Sequence, residues 1–211
     1  MRTYKIHLIR HGLTQANIDG AYCGASDLSL CEAGESSLYD LLGRASYPLV
    51  ETVYVSPLVR ARQTADIIWP ETEQIIVEGL REASFGRFEG KTLAELRGDE
   101  EFERWIVPKS SYLPEGVEAP REFFERCAEA LKWLIDDMMS RSIFSAGVVT
   151  HAGVIGNMLA ALAYPKRPPY DWQCDPGYGF KVIADPTLYL REPVVEVVDY
   201  LPEEGEEDED Y

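Results

Sequence analysis

The chain alternates short apolar runs with amphipathic stretches, a pattern that predicts strands alternating with helices. Leu38, Leu41 and Leu42 recur at helical spacing, and Pro70 ends another helical stretch. Strands are predicted over 4–9, 52–55, 75–77, 146–150, 181–184 and 194–198, and helices over 35–45, 59–69 and 154–163. This alternation favours an α/β fold, a three-layer sandwich with a mostly parallel central sheet and helices on both faces.

The segment between the third and fourth strands, residues 79–145, is much longer than one crossover needs. It carries helical patterns over 92–105 and 121–139, separated by a loop rich in Pro and Gly. Long inserted segments usually serve a site, so we expect a helical lid over one end of the sheet. Residues 1–202 are then one domain, and 203–211 a disordered acidic tail.

Charge and composition narrow the possible partners of this 211-residue chain. The formal net charge is −17, which disfavours nucleic acids and anionic membrane surfaces. Four scattered cysteines without a CxxC pair indicate reduced thiols. The start of the chain lacks a signal-peptide pattern, and the apolar segment 147–164 is interpreted as a strand, turn and helix. We therefore expect a cytoplasmic protein that binds no membrane, as a monomer or a homodimer.

Two histidines follow predicted strands whose carboxyl ends belong at one edge of the sheet. Arg10, His11 and Gly12 end the first strand, and His151 with Gly153 follows the fourth. Ligands of open α/β sheets bind at this edge, and a glycine lets the backbone approach a ligand closely. The pairing of two such histidines with an arginine indicates a functional site.

Two further residues belong to the same edge. Arg60 stands in the first turn of the helix after the second strand, where a helix N-terminus and a guanidinium both favour phosphate. Glu82 lies just beyond the third strand. The sequence therefore predicts a site in which Arg60 helps to enclose a phosphoryl group and the Glu82 carboxyl group lies beside it.

The ordered motifs resemble the histidine phosphatase superfamily, also called phosphoglycerate-mutase-like. The resemblance spans about residues 4–184. The matching residues are Arg10-His11-Gly12-x-Thr14-x-x-Asn17, Tyr22-x-Gly24-x-x-Asp27, Leu30-x-x-x-Gly34, Ser56-x-Leu58-x-Arg60-Ala61-x-Gln63-Thr64-Ala65, Glu82-x-x-x-Gly86-x-x-Glu89-Gly90 and Thr150-His151-Ala152-Gly153. The acidic tail lies outside this resemblance.

The resemblance implies a role for each site residue. His11 is the nucleophile that accepts the phosphoryl group, and Glu82 is the general acid and then the general base. The phosphoryl oxygens are bound by Arg10, Asn17, Arg60 and His151, of which His151 is also counted as catalytic. Thr14, Gly24 and Trp105 are candidate substrate contacts. No metal or cofactor is required.

Several residues near these motifs have structural interpretations instead. Arg62 is expected to be solvated or salt-bridged, and Glu89 either pairs with Arg87 or caps the next helix. His7 shares a strand face with His11, which leaves open a metal site with His151. At ~13 Å along the strand His7 is too far away for one ion, so packing is expected.

The chain most resembles the small bacterial-type group with alpha-ribazole and broad-specificity phosphatases. The cofactor-dependent mutases are longer and have a Trp-Asn pair where this chain has Ala16-Asn17. The lid brings few positive charges, which favours a small-molecule phosphate monoester, bulky and partly apolar. The alternatives are a phosphoglycerate mutase that uses a bisphosphoglycerate cofactor and a catalytically silent phosphate-binding module.

Overall fold

The structure, a computed structural model, describes residues 2–108 and 110–204. Its strands are β1 (Tyr4–Arg10), β2 (Ala45–Ser46), β3 (Thr52–Val55), β4 (Gln74–Ile76), β5 (Ser145–Thr150), β6 (Ala163–Tyr164), β7 (Gly179–Ala184), β8 (Val195–Leu201) and β9 (Glu203–Glu204). Its α-helices are α1 (Gln15–Asp19), α2 (Glu32–Arg44), α3 (Val59–Ile68), α4 (Leu93–Leu96), α5 (Glu100–Ile106), α6 (Pro120–Arg141), α7 (Ala152–Leu162) and α8 (Pro186–Tyr189). Single 3-10 turns span Glu78–Leu80, Gly86–Phe88 and Pro169–Asp171.

Seven of the strands form one mixed sheet in the order β4-β3-β5-β1-β7-β8-β6. The first four are parallel to one another, β7 is antiparallel to both β1 and β8, and β6 is parallel to β8. The predicted mostly parallel sheet is confirmed. Arg10 at the end of β1 is in register with Thr150 at the end of β5, so the residues after the two strands lie side by side.

Helices cover both faces of the sheet, as predicted. Ile6 and Leu8 point to one face and pack in the larger core, which includes apolar residues of α6 and α7. Ile9 points to the other face and packs in a core with β3 and α3. The alternation of side chains along β1 supplies both cores of the three-layer sandwich.

The lid is helical, but its first helix is broken in two. Thr92 caps α4, Gly98 has a φ of 85°, and the Asp99 carboxylate caps α5 by accepting from the N–H groups of Glu101 and Phe102. A left-handed residue followed by a new N-cap ends the continuous helix predicted over 92–105. Aromatic side chains then pack the lid against the body of the protein, namely Tyr22, Phe85, Phe88, Phe102 and Trp105.

The boundary predicted for the acidic tail is corrected by β9. Glu203 and Glu204, which were assigned to the tail, pair with Ser46 and Ala45 of β2. The Glu203 carboxylate also forms an ion pair with Lys181 over 2.9 Å. The remaining tail residues, 205–211, lie outside the described residues. None of the helices within the described ranges is long and apolar enough to cross a bilayer.

Candidate active site

His11 and His151 lie next to each other at the carboxyl edge of the sheet. Their ring centroids are 5.1 Å apart, and the rings meet edge to face. Both rings are almost fully buried. The predicted pairing of the two histidines is therefore present in the structure.

A backbone carbonyl fixes the tautomer of His11. Its Nδ1–H donates to the carbonyl oxygen of Gly12 over 2.6 Å, and the N–H of Gly12 donates to Thr64 Oγ1. The second ring nitrogen, Nε2, therefore carries the free lone pair. Burial, followed by the positive charge of Arg60, lowers the pKa of His11 to about 3, so its imidazole is neutral at pH 7.

Arg60 is a fully buried cation that faces His11. Its Nε donates to His11 Nε2 over 3.3 Å, and its terminal nitrogens donate to the carbonyl oxygens of Ser26 and Gly24 over 2.7 Å each. Burial lowers the pKa of Arg60, but a guanidinium stays charged at neutral pH. A fixed positive charge thus stands beside His11 Nε2.

Glu89 holds the loop that binds Arg60. Its carboxylate accepts from the N–H groups of Gly24, Ala25, Ser26 and Phe85. Burial alone raises the pKa of Glu89, but these hydrogen bonds outweigh burial and lower it. The prediction that Glu89 pairs with Arg87 or caps a helix is wrong, because Arg87 pairs with Asp99 and Glu101 in the lid.

Arg10 and Asn17 complete the polar floor of the cavity. One terminal nitrogen of Arg10 donates to the carbonyl oxygen of Cys174, while its buried Nε has no partner among the described residues. The side-chain oxygen of Asn17 accepts from Thr14, which leaves the amide NH₂ as its available donor. Both side chains can therefore donate to an anion in the cavity.

His151 is oriented by Ser56. Ser56 Oγ lies 2.8 Å from His151 Nε2 and accepts from the N–H of Leu58. Nε2 is thus engaged with the Ser56 hydroxyl, and Nδ1 is the ring nitrogen that remains for a ligand. That Nδ1 is buried and unpartnered among the described residues. Burial, then the neighbouring His11, lowers the pKa of His151 far below its usual value.

Glu82 is a buried carboxyl group on the wall of the same cavity. Its two oxygens accept from the N–H groups of Ala83 and Gly153 over 2.9 and 3.1 Å. A Cβ at Gly153 would approach a Glu82 oxygen to 2.6 Å, so this contact requires glycine. Burial raises the pKa of Glu82 against the lowering effect of these hydrogen bonds.

Four of these residues line a cavity of about 340 Å³, whereas Arg60 and His151 lie behind its lining. Arg10, His11, Asn17 and Glu82 line its polar side, and Trp105 lies on its apolar wall. The rest of the lining consists of Cys23, Ala83, Ser84, Phe85, Val117, Glu118, Pro120, Phe123, Ala152 and Gly153.

Thr14 and Gly24 do not line this cavity, contrary to the prediction for both. Thr14 is fully buried and caps α1, with its hydroxyl accepting from the N–H of Asn17. Gly24 presents its carbonyl oxygen to Arg60, and a Cβ there would lie 2.2 Å from the Ala83 carbonyl oxygen. Their roles are to hold Asn17 and Arg60 in place.

The sequence did not single out several residues that shape the site. Ser56 stands in the quoted motif after the second strand, which is the signal that could have marked it as the partner of His151. Phe85 and Phe123 carry no motif-like spacing, so their place on the cavity wall emerges only from the folded lid. Within the described residues, His, Cys, Asp and Glu form no group of three that could hold a metal, a set from His7, His11 and His151 included.

Comparison with known proteins gives the family. The sequence model of the histidine phosphatase superfamily (branch 1) matches residues 6–178. The chain belongs to the histidine phosphatase superfamily. Its relatives named as phosphatases indicate an enzyme that hydrolyses phosphate esters.

The chain is similar to proteins named as phosphatases and to proteins named as phosphoglycerate mutases. It is 31% identical over 182 residues to the adenosylcobalamin/alpha-ribazole phosphatase of Escherichia coli K12, covering 82% of this chain and 86% of that one. It is 30% identical over 169 residues to a probable phosphoglycerate mutase GpmB of Cronobacter sakazakii, covering 77% and 78%. A crystal structure of a putative alpha-ribazole-5'-P phosphatase from Escherichia coli has the same fold, with a TM-score of 0.78, 23% identity and 96% of each chain covered.

Proposed function

We propose that this histidine phosphatase hydrolyses phosphate monoesters of small metabolites through a phosphohistidine on His11, with Glu82 as general acid and base. The observation that carries the proposal is the joint placement of the two groups. His11 is held by Gly12 so that Nε2 carries the lone pair, which accepts from Arg60 Nε over 3.3 Å, and Glu82 lines the same cavity with a raised pKa. A neutral imidazole is a competent nucleophile, and a carboxyl with a raised pKa can donate a proton near neutral pH.

In the first step, His11 Nε2 attacks the phosphorus atom of the ester. An N–P bond forms, the P–O bond of the ester breaks, and the departing oxygen takes the proton of Glu82. Arg60 and Arg10 stabilise the charge on the phosphoryl oxygens, together with the amide of Asn17 and Nδ1–H of His151. Arg60 Nε, which contacts His11 Nε2 in the free enzyme, turns to an oxygen of the transferred group.

In the second step, the Glu82 carboxylate takes a proton from water as the water oxygen attacks phosphorus. An O–P bond forms, the N–P bond breaks, and inorganic phosphate leaves with His11 neutral again. Glu82 regains its proton and is ready for the next ester. The cycle needs no group beyond the chain, the ester and water.

The apolar wall of the cavity favours an ester with an apolar or aromatic part. Phe85, Trp105 and Phe123 face the polar floor, whereas Glu118 is a further acidic group of the lining. Within the described residues, Arg10 is the only cation that lines the cavity, and Arg60 lies behind His11. This charge balance suits one phosphoryl group better than two.

The test is hydrolysis of p-nitrophenyl phosphate in EDTA by the wild-type protein and by His11→Ala. We expect activity that survives EDTA and disappears in the variant. Phosphoglycerate is assayed in parallel for hydrolysis and for isomerisation with a bisphosphoglycerate cofactor. A wild-type protein that isomerises phosphoglycerate faster than it hydrolyses any ester would contradict the proposal and establish the mutase.

A further inference from the structure

A second cavity, of about 500 Å³, lies near the start of β1, away from the active site. Thr3, Lys5 and His7 alternate along one face of the chain there and line the cavity. Lys5 is in register with Ser145 of β5, and His7 is in register with Lys181 of β7. Three adjacent strands thus direct polar side chains into one space.

The cavity is cationic in a protein with 37 Asp and Glu against 20 Lys and Arg. Arg2, Lys5 and Lys181 line it, and none of the described residues that line it is acidic. Glu203 pairs with the Lys181 ammonium, which leaves about two positive charges. The nearby Glu51 carboxylate is held by the N–H groups of Phe144 and Ser145. That carboxylate still carries a negative charge, so the local balance is about +1, which matches a singly protonated phosphoryl group.

His7 adds a buried polar group with unused hydrogen-bonding capacity. The residue is 1% exposed, and its Nε2 lies 3.3 Å from Ser145 Oγ. Its Nδ1 is buried and has no hydrogen-bond partner in the described ranges. Ser145 Oγ donates to the carbonyl oxygen of Leu49 over 3.0 Å, so it accepts from His7 Nε2–H and leaves Nδ1 as an unpaired acceptor. Because buried polar atoms are normally paired, this acceptor beside a cationic cavity points to a ligand that carries a donor.

One side of the cavity is apolar. Pro48 and Leu49 form part of the lining, and Leu49 is 92% exposed. The Phe144 ring lines the cavity too, stacked on Tyr4 at 5.2 Å and covered by the Arg2 guanidinium at 5.0 Å. An exposed leucine beside an aromatic ring suits an apolar group attached to the anion.

We propose that this cavity is a second binding site, for a small molecule that joins a phosphoryl group to an apolar part. It is separate from the catalytic cavity, because His7 precedes His11 by four strand residues, ~13 Å. Arg2, Lys5 and Lys181 bind the anion in its singly protonated form, whose hydroxyl donates to His7 Nδ1, and Leu49 with Phe144 contacts the apolar part.

The chain has three histidines, so one NMR experiment reports both cavities. The imidazole signals of the full-length protein are followed while phenylphosphonate, which has no ester bond to hydrolyse, is added at pH 7. We expect the His7 signals to move along their own saturation curve, while His11 and His151 report the active site. Inorganic phosphate should move His7 only at higher concentrations, because it lacks the apolar part.

The variants are Lys5→Gln, Lys181→Gln and the double substitution, with Lys132→Gln on the opposite face as the matched control. In the double variant we expect the apparent Kd at His7 to rise about tenfold or more, with the His11 and His151 curves unchanged. Lys132→Gln should match the wild type. The proposal fails if His7 stays still while the active site saturates, or if the double variant keeps the wild-type curve at His7.

Discussion

His11 Nδ1 donates to the carbonyl of Gly12, so its Nε2 carries the lone pair that the proposed attack on phosphorus uses. In His151 the other nitrogen is engaged, since Nε2 faces Ser56 and Nδ1 has no partner among the described residues. The two histidines thus present different ring nitrogens to the site. Neighbouring oxygens, rather than the histidines themselves, produce this division of roles.

Glu82→Gln tests the proton transfer, because glutamine keeps the shape of the side chain but cannot supply a proton. We expect kcat to fall by ~10²–10⁴ for alkyl phosphates, whose alkoxide needs a proton, and much less for p-nitrophenyl phosphate. Steady-state kinetics with both esters measures the difference. Glu78→Gln, an exposed glutamate four residues earlier, is the matched control. Equal losses for both esters would reassign Glu82 to positioning.

At the scale of elements, the strand ends could be predicted from the sequence and the loop contacts could not. Apolar runs that stop at Arg10 and Thr150 place His11 and His151 at one edge, whatever the details of the sheet. The contact between Glu89 and the loop at Gly24 joins segments 65 residues apart through backbone N–H groups. Every residue except proline has a backbone N–H group, so the side-chain sequence does not indicate which N–H groups Glu89 contacts. Only the folded structure shows this contact.

Contacts within the folded chain also decide the roles of Thr14, Gly24 and the lid. The motif positions of Thr14 and Gly24 placed them in the site, but not as residues that hold Asn17 and Arg60 in position. The helical pattern over 92–105 was correct for most residues, while the break at Gly98 depends on a turn that the Asp99 cap stabilises. The pairing of β9 with β2 is equally nonlocal.

Glu89→Gln tests whether the loop positions Arg60. The substitution removes a charged acceptor shared by four N–H groups, so we expect the free energy of unfolding to fall by about 2 kcal/mol. We also expect kcat to fall by about tenfold with little change in KM. Urea unfolding and steady-state kinetics measure the two effects, again against Glu78→Gln. A stability loss without any change in kcat would show that the loop does not act through Arg60.

The lid provides the apolar wall, so Phe85→Ala should change substrate choice. We expect kcat/KM to fall by about tenfold for an aromatic phosphate monoester and to stay near the wild-type value for glycerol phosphate. The matched control is Leu93→Ala, an exposed lid residue at 58% accessibility. If both esters lose activity equally in Phe85→Ala, the wall does not select the apolar part.

At the scale of the whole molecule, burial of the histidines links folding to pH. Folded His11 has a pKa of about 3, below the ordinary 6.5, so between these two pH values the unfolded chain binds a proton on His11 that the folded chain does not bind. Stability from this group is complete above pH 6.5 and is lost as the pH falls from there toward 3. His7, with a pKa of about 4, acts in the same direction, and Glu82, with a raised pKa, acts in the opposite one.

Comparison of wild type with His11→Asn isolates this effect. Between pH 7 and pH 5, we expect the free energy of unfolding to fall about 2 kcal/mol further in the wild type than in the variant. Urea titrations at the two pH values give the difference. Parallel curves for the two proteins would mean that folded His11 accepts a proton near its ordinary pKa.

The most direct test of the account is to trap the covalent intermediate. The wild-type protein is mixed with excess p-nitrophenyl phosphate, quenched in alkali, in which phosphohistidine survives, and digested for mass spectrometry. We expect one phosphoryl group on His11 that accumulates within the first turnover and decays as the ester is exhausted. Rapid hydrolysis with no phosphoryl group on His11, or with the label on another residue, would contradict it.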